Sequence, residues 1–279
     1  MRTKILTGLL DALAFCLPLM AFEQPAIYQL KPKDRVLILG DSTTSDGIQP
    51  AGYVQLVEQA QREQILGMDV KVWGYGFAMK GTWTLLGDRG YVNGYVKSLL
   101  GKEGAPTVVI INLGLNDSKS GINGVVAFVE NLRQAVDMLR TFGVTVILCT
   151  PTTWGGLSQT KPYAEAGRTL AAELKCPVID LYAVHAEQIA AHTKDGVLTP
   201  GANPTRDGAH LNGLGETLSA SAILQSFDLK PIWQKYQLRV RLSRNGKGKI
   251  LVELDASAYP AGTKVTLTVI PEPGSEFAA

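Results

Sequence analysis

Arg35-Val36-Leu37-Ile38-Leu39-Gly40-Asp41-Ser42 opens on an apolar run and closes on a glycine followed by two small polar residues. Four consecutive aliphatic side chains without polar alternation read as a strand buried on both faces. Working outward, Tyr53–Leu66 carries apolar residues near helical spacing, and Asp69–Tyr75 is a second strand candidate. Thr107–Leu113 (TVVIINL) is a third, Val144–Cys149 (VTVILC) a fourth and Pro177–Leu181 a fifth. Between them, Val125–Phe142 and Tyr163–Leu174 read as amphipathic helices, and Leu214–Phe227 as the last helix of the unit. Apolar strands alternating with helices predict an α/β fold, a parallel five-stranded sheet covered on both faces. Such sheets bind ligands beyond the carboxyl ends of their strands. Chemistry is therefore expected in Asp41–Gly47, Gly76–Trp83, Gly114–Lys119 and Thr150–Gly156.

The 279 residues suit one large domain with a small appendage. With 27 basic against 25 acidic side chains, the charge balance offers no case for a nucleic-acid partner. At the amino terminus, Arg2 and Lys4 precede the apolar run Ile5–Phe22, which Asp11 and Pro18 interrupt. The pattern predicts a signal peptide over residues 1–21, cleaved after Ala21, and hence a secreted or cell-surface protein. The competing reading is a short core helix, and the run is too short and broken for a stable membrane span. Residues 22–228 form the main domain and 229–279 a small β-rich appendage. In the latter, Gln237–Leu242, Lys249–Leu254 and Lys264–Ile270 alternate polar and apolar residues. Cys149 and Cys176 fall at opposite ends of the predicted sheet, too far apart for the roughly 7 Å a disulfide allows, and are expected as free buried thiols.

Three short segments carry the chemistry. Gly40-Asp41-Ser42 places a serine on the turn after the first strand, where a neighbouring base could activate it. An ordinary helix N-cap would look the same. Gly114-Leu115-Asn116-Asp117 follows the third strand, and Asn116 could direct its side-chain N–H at an oxyanion; a type I turn would also suit Asn-Asp. Asp207-Gly208-Ala209-His210 sets a carboxylate three residues before an imidazole, near enough to reach its Nδ1–H. A surface turn is the plain alternative. His185 and His192 have no third ligand beside them and read as ordinary helix residues. There is no G-x-S-x-G, no G-x-x-x-x-G-K-[ST], no complete G-x-G-x-x-G and no H-E-x-x-H, so no metal or organic cofactor is implied.

Taken together, these blocks resemble the SGNH (GDSL-type) hydrolase family over roughly residues 34–228. The resemblance implies a three-layer α/β/α, flavodoxin-like fold and a serine esterase working through an acyl-enzyme. It implies Ser42 as nucleophile, His210 as base and Asp207 as its orienter. It further implies an oxyanion hole made by the Ser42 N–H, a second-block glycine N–H and the Asn116 side chain. The second block departs from the family's Asn-x-Gly-x-x-Gly-x-Thr. Here Gly74–Thr82 (GYGFAMKGT) puts Met79 at the donor position without a gap, or Gly81 with a two-residue insertion, and Gly81 is favoured. The appendage resembles one unit of a repeat in bacterial multidomain surface proteins, through NGKGKILVEL and YPAGTKVTLTVIPEPGSEF. That repeat usually continues to a tryptophan, so the appendage reads as truncated, although Gly274–Phe277 would equally suit a vector-derived scar.

Trp73, Tyr75, Phe77 and Trp83 surround the second block, and Trp154 follows the fourth strand. Asp41, Trp83 and Trp154 are the candidate substrate-binding residues, core packing being the alternative for the aromatics. The expected substrate is an O-acetyl ester of a carbohydrate. A lysophospholipid or short-chain lipid ester is the alternative, as is a glycan-binding module with a decayed site.

Overall fold

The computed structural model describes residue 25, residues 27–153 and 157–231, and, in the C-terminal stretch, residues 235–236, 248–252, 259–260 and 267–272. The signal-peptide segment, Trp154 and Gln237–Leu242 lie outside the described residues. The chain divides into two compact units, a large one spanning Leu19–Pro231 and a second that includes Ile232–Ala279.

In the large unit, β1 (Arg35–Gly40), β2 (Lys71–Gly76), β3 (Val108–Asn112), β4 (Thr145–Cys149) and β5 (Val178–Ile179) form one sheet in the order β2-β1-β3-β4-β5. Every pairing is parallel. All five residues of β3 are buried, as a strand covered on both faces requires. Successive side chains point to opposite faces. Leu37, Leu39, Val109 and Ile111 pack with Phe128, Leu132, Val136 and Leu139 of α4 (Val125–Thr141), and with Tyr163 and Leu170 of α5 (Leu157–Leu174). On the other face, α2 (Tyr53–Gln64) packs against α7 (Gly213–Ser226), and α7 against α6 (Leu181–Ala191). Each fully buried aliphatic side chain of this kind contributes about 1.5–3 kcal/mol.

The departures from the sequence reading are local. The fifth strand is only two residues long, because Asp180 caps α6 by accepting from Ala183 N–H at 3.1 Å, so the chain turns helical at Leu181. Helix α5 starts at Leu157, six residues before the Tyr163 start expected from the sequence, and runs through Pro162. The serine turn is the start of a helix, α1 (Ser42–Gly47). After β2 come a 3₁₀ turn (Thr82–Thr84), a π-helix (Tyr91–Val96) and the single turn α3 (Lys97–Leu99). A short hairpin, β6 (Thr193–Lys194) with β7 (Val197–Leu198), follows α6.

Cys149 and Cys176 are both free and buried. Burial pushes both thiols up, so neither offers thiolate at neutral pH. No helix among the described residues is long and apolar enough to cross a membrane. In the second unit, β8 (Lys235–Tyr236) pairs antiparallel with β10 (Tyr259–Pro260), and β9 (Gly248–Val252) with β11 (Leu267–Pro271).

Candidate active site

The sheet order flanks β1 with β2 on one side and β3 on the other, so the crossovers leaving β1 (to β2) and β3 (to β4) run in opposite directions and open a crevice between the carboxyl ends of β1 and β3. Ser42 begins α1 there. Asp41 caps that helix, its Oδ1 accepting from Thr43 N–H at 2.8 Å and Thr43 Oγ1 at 2.9 Å. The turn is tight enough that a Cβ on Gly40 would lie 1.8 Å from Thr44 Oγ1, which explains the glycine. Asp41, a candidate substrate-binding group, is 1% exposed and its carboxylate is bound to its own helix. Burial pushes its carboxyl up to about 6, against the pull of the Thr43 donors.

His210 reaches Ser42 from the loop before α7. Its Nε2 is 3.0 Å from Ser42 Oγ, and its Nδ1 is 2.7 Å from Asp207 Oδ2. Asp207 Oδ1 also accepts from the Ala209 and His210 N–H groups at 3.1 and 2.8 Å. Partial burial alone would raise the Asp207 carboxyl, but these N–H groups and the imidazole outweigh it and hold it below its usual value. The loop is pinned by an Arg206–Asp46 ion pair at 2.5 Å, joining it to the helix that bears Ser42. It is pinned again by Arg206 N–H on His210 O at 2.9 Å and by the Thr205–Leu211 bridge.

Asn116, 6% exposed, follows β3, and its Nδ2 donates to Lys80 O at 2.9 Å. That contact brings the third and second blocks together. A second tie, which the motifs did not suggest, is Asp117. Its carboxylate accepts from Thr82 N–H at 3.1 Å and from Thr82 Oγ1 at 2.5 Å, and Asn131 Nδ2 lies 3.2 Å from that same Oγ1. Burial pushes the Asp117 carboxyl up, while the Thr82 donors favour its charged form.

Between these ties the two oxyanion candidates differ. Met79 is left-handed, with φ +61°, the conformation for which glycine is usual. Gly81 is extended, with φ −132°. The reason for a glycine at 81 is Trp83: a Cβ there would lie 2.1 Å from the indole ring. Lys80, whose carbonyl meets Asn116, sits between the two. Phe77, Met79 and Trp83 are 47%, 71% and 54% exposed, an apolar rim on the β2 side.

His185 and His192 stay apart from this site. His185 is fully buried with Nε2 3.2 Å from Ser219 Oγ, and burial pushes its imidazole down to about 4. His192 caps the end of α6.

Residues 38–218, well over half of the chain, match the GDSL-like Lipase/Acylhydrolase family. The chain belongs to that family. GDSL hydrolases cleave esters, and an ester hydrolase is what this chain is. Solved structures share its fold. An acetyl xylan esterase, AlAXEase, superposes with a TM-score of 0.54 at 22% identity, covering 67% of this chain and 97% of its own. A catalytic mutant of an acetylxylan esterase from Geobacillus stearothermophilus gives 0.60 at 18% identity, covering 77% and 100%. An alpha/beta hydrolase enzyme from the metagenome of Lake Arreo, Spain, gives 0.57 at 17% identity, covering 71% and 97%. No curated protein matches.

Proposed function

We propose that this GDSL hydrolase removes O-acetyl groups from carbohydrate by an acyl-enzyme route, with Ser42, His210 and Asp207 as its catalytic triad. The observation that carries the reading is the unbroken row from Asp207 Oδ2 through the imidazole to Ser42 Oγ, at 2.7 and 3.0 Å. Asp207 accepts from Nδ1–H and so leaves Nε2 as the acceptor facing the hydroxyl. As Ser42 Oγ attacks the ester carbonyl, its proton passes to Nε2. The carbonyl π electrons move onto oxygen. That oxyanion meets the Ser42 N–H, the second N–H of the Asn116 amide and a backbone N–H from Met79–Gly81. Each such donor is worth about 10²–10³ in kcat. The imidazolium then protonates the departing alcohol oxygen as the C–O bond breaks. Water repeats the sequence on the acyl-enzyme, giving its proton to His210, and Ser42 leaves reprotonated with acetate released.

Two observations favour an acetylated carbohydrate. Trp83 offers half of its indole at the rim, and aromatic faces stack well on the C–H faces of sugar rings. Two of the structures that share the fold are acetylxylan esterases by name. A polysaccharide outside the cell also accords with reading Ile5–Phe22 as part of a leader; exported protein beginning near Phe22 would support that reading, and an intact Met1 would refute it. Exposed Phe77 and Met79 are what would favour a lipid acyl chain instead. The test compares acetate release from acetylated xylan with fatty-acid release from lysophosphatidylcholine. Faster acetate release supports the reading, and faster fatty-acid release overturns its substrate class.

A further inference from the structure

Between the second block and β3 the chain makes an excursion covered by none of the motifs, and inside it Tyr91–Val96 winds as a π-helix. The widened turn is closed by Tyr95 N–H on Gly90 O at 3.1 Å, five residues back. Such turns are rare and frequently sit at functional sites. This one buries Tyr91, which is 5% exposed, and sets its ring edge-on to Tyr75 at 5.3 Å and tilted to Phe77 at 6.4 Å. The Tyr91 hydroxyl donates to Gly40 O at 3.0 Å. Gly40 ends β1, two residues before Ser42. Phe77 is the first residue past β2, two before Met79. One side chain therefore joins the two strand ends whose following segments carry the proposed oxyanion donors, by its hydroxyl at β1 and by its ring against Tyr75 and Phe77 at β2. Burial, with the Asp41 charge nearby, pushes this phenol well above its usual value, so it keeps its proton at any working pH.

We propose that Tyr91 is a positioning residue for ester hydrolysis, its hydroxyl on β1 and its ring on the end of β2 together fixing the spacing between the Ser42 N–H and the N–H donor of Met79–Gly81. The inference rests on the triad reading above. Oxyanion donors act only within a narrow distance of the developing charge, so a change in the gap between two of them weakens the transition state and leaves ground-state binding alone.

Tyr91→Phe keeps the ring contacts at β2 and removes only the hydroxyl's hold on Gly40 of β1. With p-nitrophenyl acetate as substrate, kcat falls about 10–100-fold while KM stays within about twofold, the split expected when a transition-state interaction is lost. Affinity for a boronic acid, which mimics the tetrahedral adduct, falls by the same factor as kcat. Tyr95→Phe is the control. It lies on the same π-helix and its ring stacks on Tyr75 at 3.6 Å, but its hydroxyl accepts from Trp73 Nε1 at 3.3 Å, within β2, and does not reach β1, so kcat holds. Placing 4-aminophenylalanine at position 91 restores a donor toward the Gly40 carbonyl and recovers most of the rate. A Tyr91→Phe enzyme with native kcat, a loss no greater than that of Tyr95→Phe, or no recovery with the amino analogue overturns the proposal. Fluorophosphonate labelling of the native protein separates the two levels. Failure to label Ser42 sinks the triad reading itself, whereas labelling of Ser42 with an unimpaired Tyr91→Phe sinks only the role of Tyr91.

Discussion

The two sides of the crevice are anchored differently. On the β1 side, Ser42 faces His210, His210 faces Asp207, and Arg206 joins Asp46, so side chains hold side chains. On the β2 side the working surface is the backbone of Met79–Gly81. It is held from outside by Asn116 on Lys80 O and Asp117 on Thr82, while its own side chains lie exposed. The proposed mechanism assigns proton transfer to the first side, which needs particular functional groups. To the second it assigns the presentation of N–H groups and an apolar rim, which many residue types can do. On that proposal, substrate preference can vary through the rim side chains as long as the N–H groups beside them keep their place.

This contrast breaks most sharply at Ser42. Ser42→Ala should leave under about 0.1% of kcat, because removing one member of a triad disables the unit. Steady-state hydrolysis of p-nitrophenyl acetate measures it, and near-native turnover would place the nucleophile elsewhere. Next in size is Asp117→Asn, which weakens the grip on Thr82 without touching the reacting atoms. A loss of about 10–100-fold in kcat with little change in KM is expected, short of deleting an oxyanion donor. An unchanged kcat would mean the β2 side needs no such anchor.

A smaller effect is expected at the rim. Trp83→Ala should raise KM about 5–10-fold for acetylated xylo-oligosaccharides, the scale of one lost aromatic contact, and leave p-nitrophenyl acetate nearly unaffected. Equal losses on both substrates would show that the indole supports the loop and does not contact sugar.

The smallest effect is on stability and concerns Asp41. Its folded-state pKa of about 6 lies above the ordinary value of 3.8, so the folded protein binds the proton more tightly than the unfolded chain. Stability should therefore fall as pH rises from about 4 to 6, by at most about 1.4 kcal/mol per unit from this group. Asp41→Asn retains an acceptor for Thr43 and should flatten that slope in urea melts across the window. An unaltered slope would mean the buried carboxyl does not titrate there.

Much of this was legible in the sequence because the relevant constraints are local. RVLILG and TVVIINL have no polar alternation, and strands like these belong in a covered parallel sheet. Asp207 and His210 are three residues apart, so one tight turn accounts for their contact. The β2 side was not legible in the same way. A backbone N–H leaves no mark on residue type, so Gly81 was favoured over Met79 only for being a glycine, and Gly81 is small because Trp83 lies over it. Tyr91, Asp117 with Thr82, and Arg206 with Asp46 are pairings across 35 to 160 residues, fixed by how loops meet in space. Asp41 stands next to Ser42 in the first block and is a buried helix cap.

The central claim is that the hydroxyl of Ser42 is the nucleophile, activated across the crevice by His210. Treating the folded protein with a fluorophosphonate and mapping the adduct by peptide mass spectrometry tests it most directly. A single adduct on Ser42, formed far more slowly in His210→Ala, is the expected result. An adduct on another residue, or none while the protein is folded and hydrolysing ester, would contradict the account.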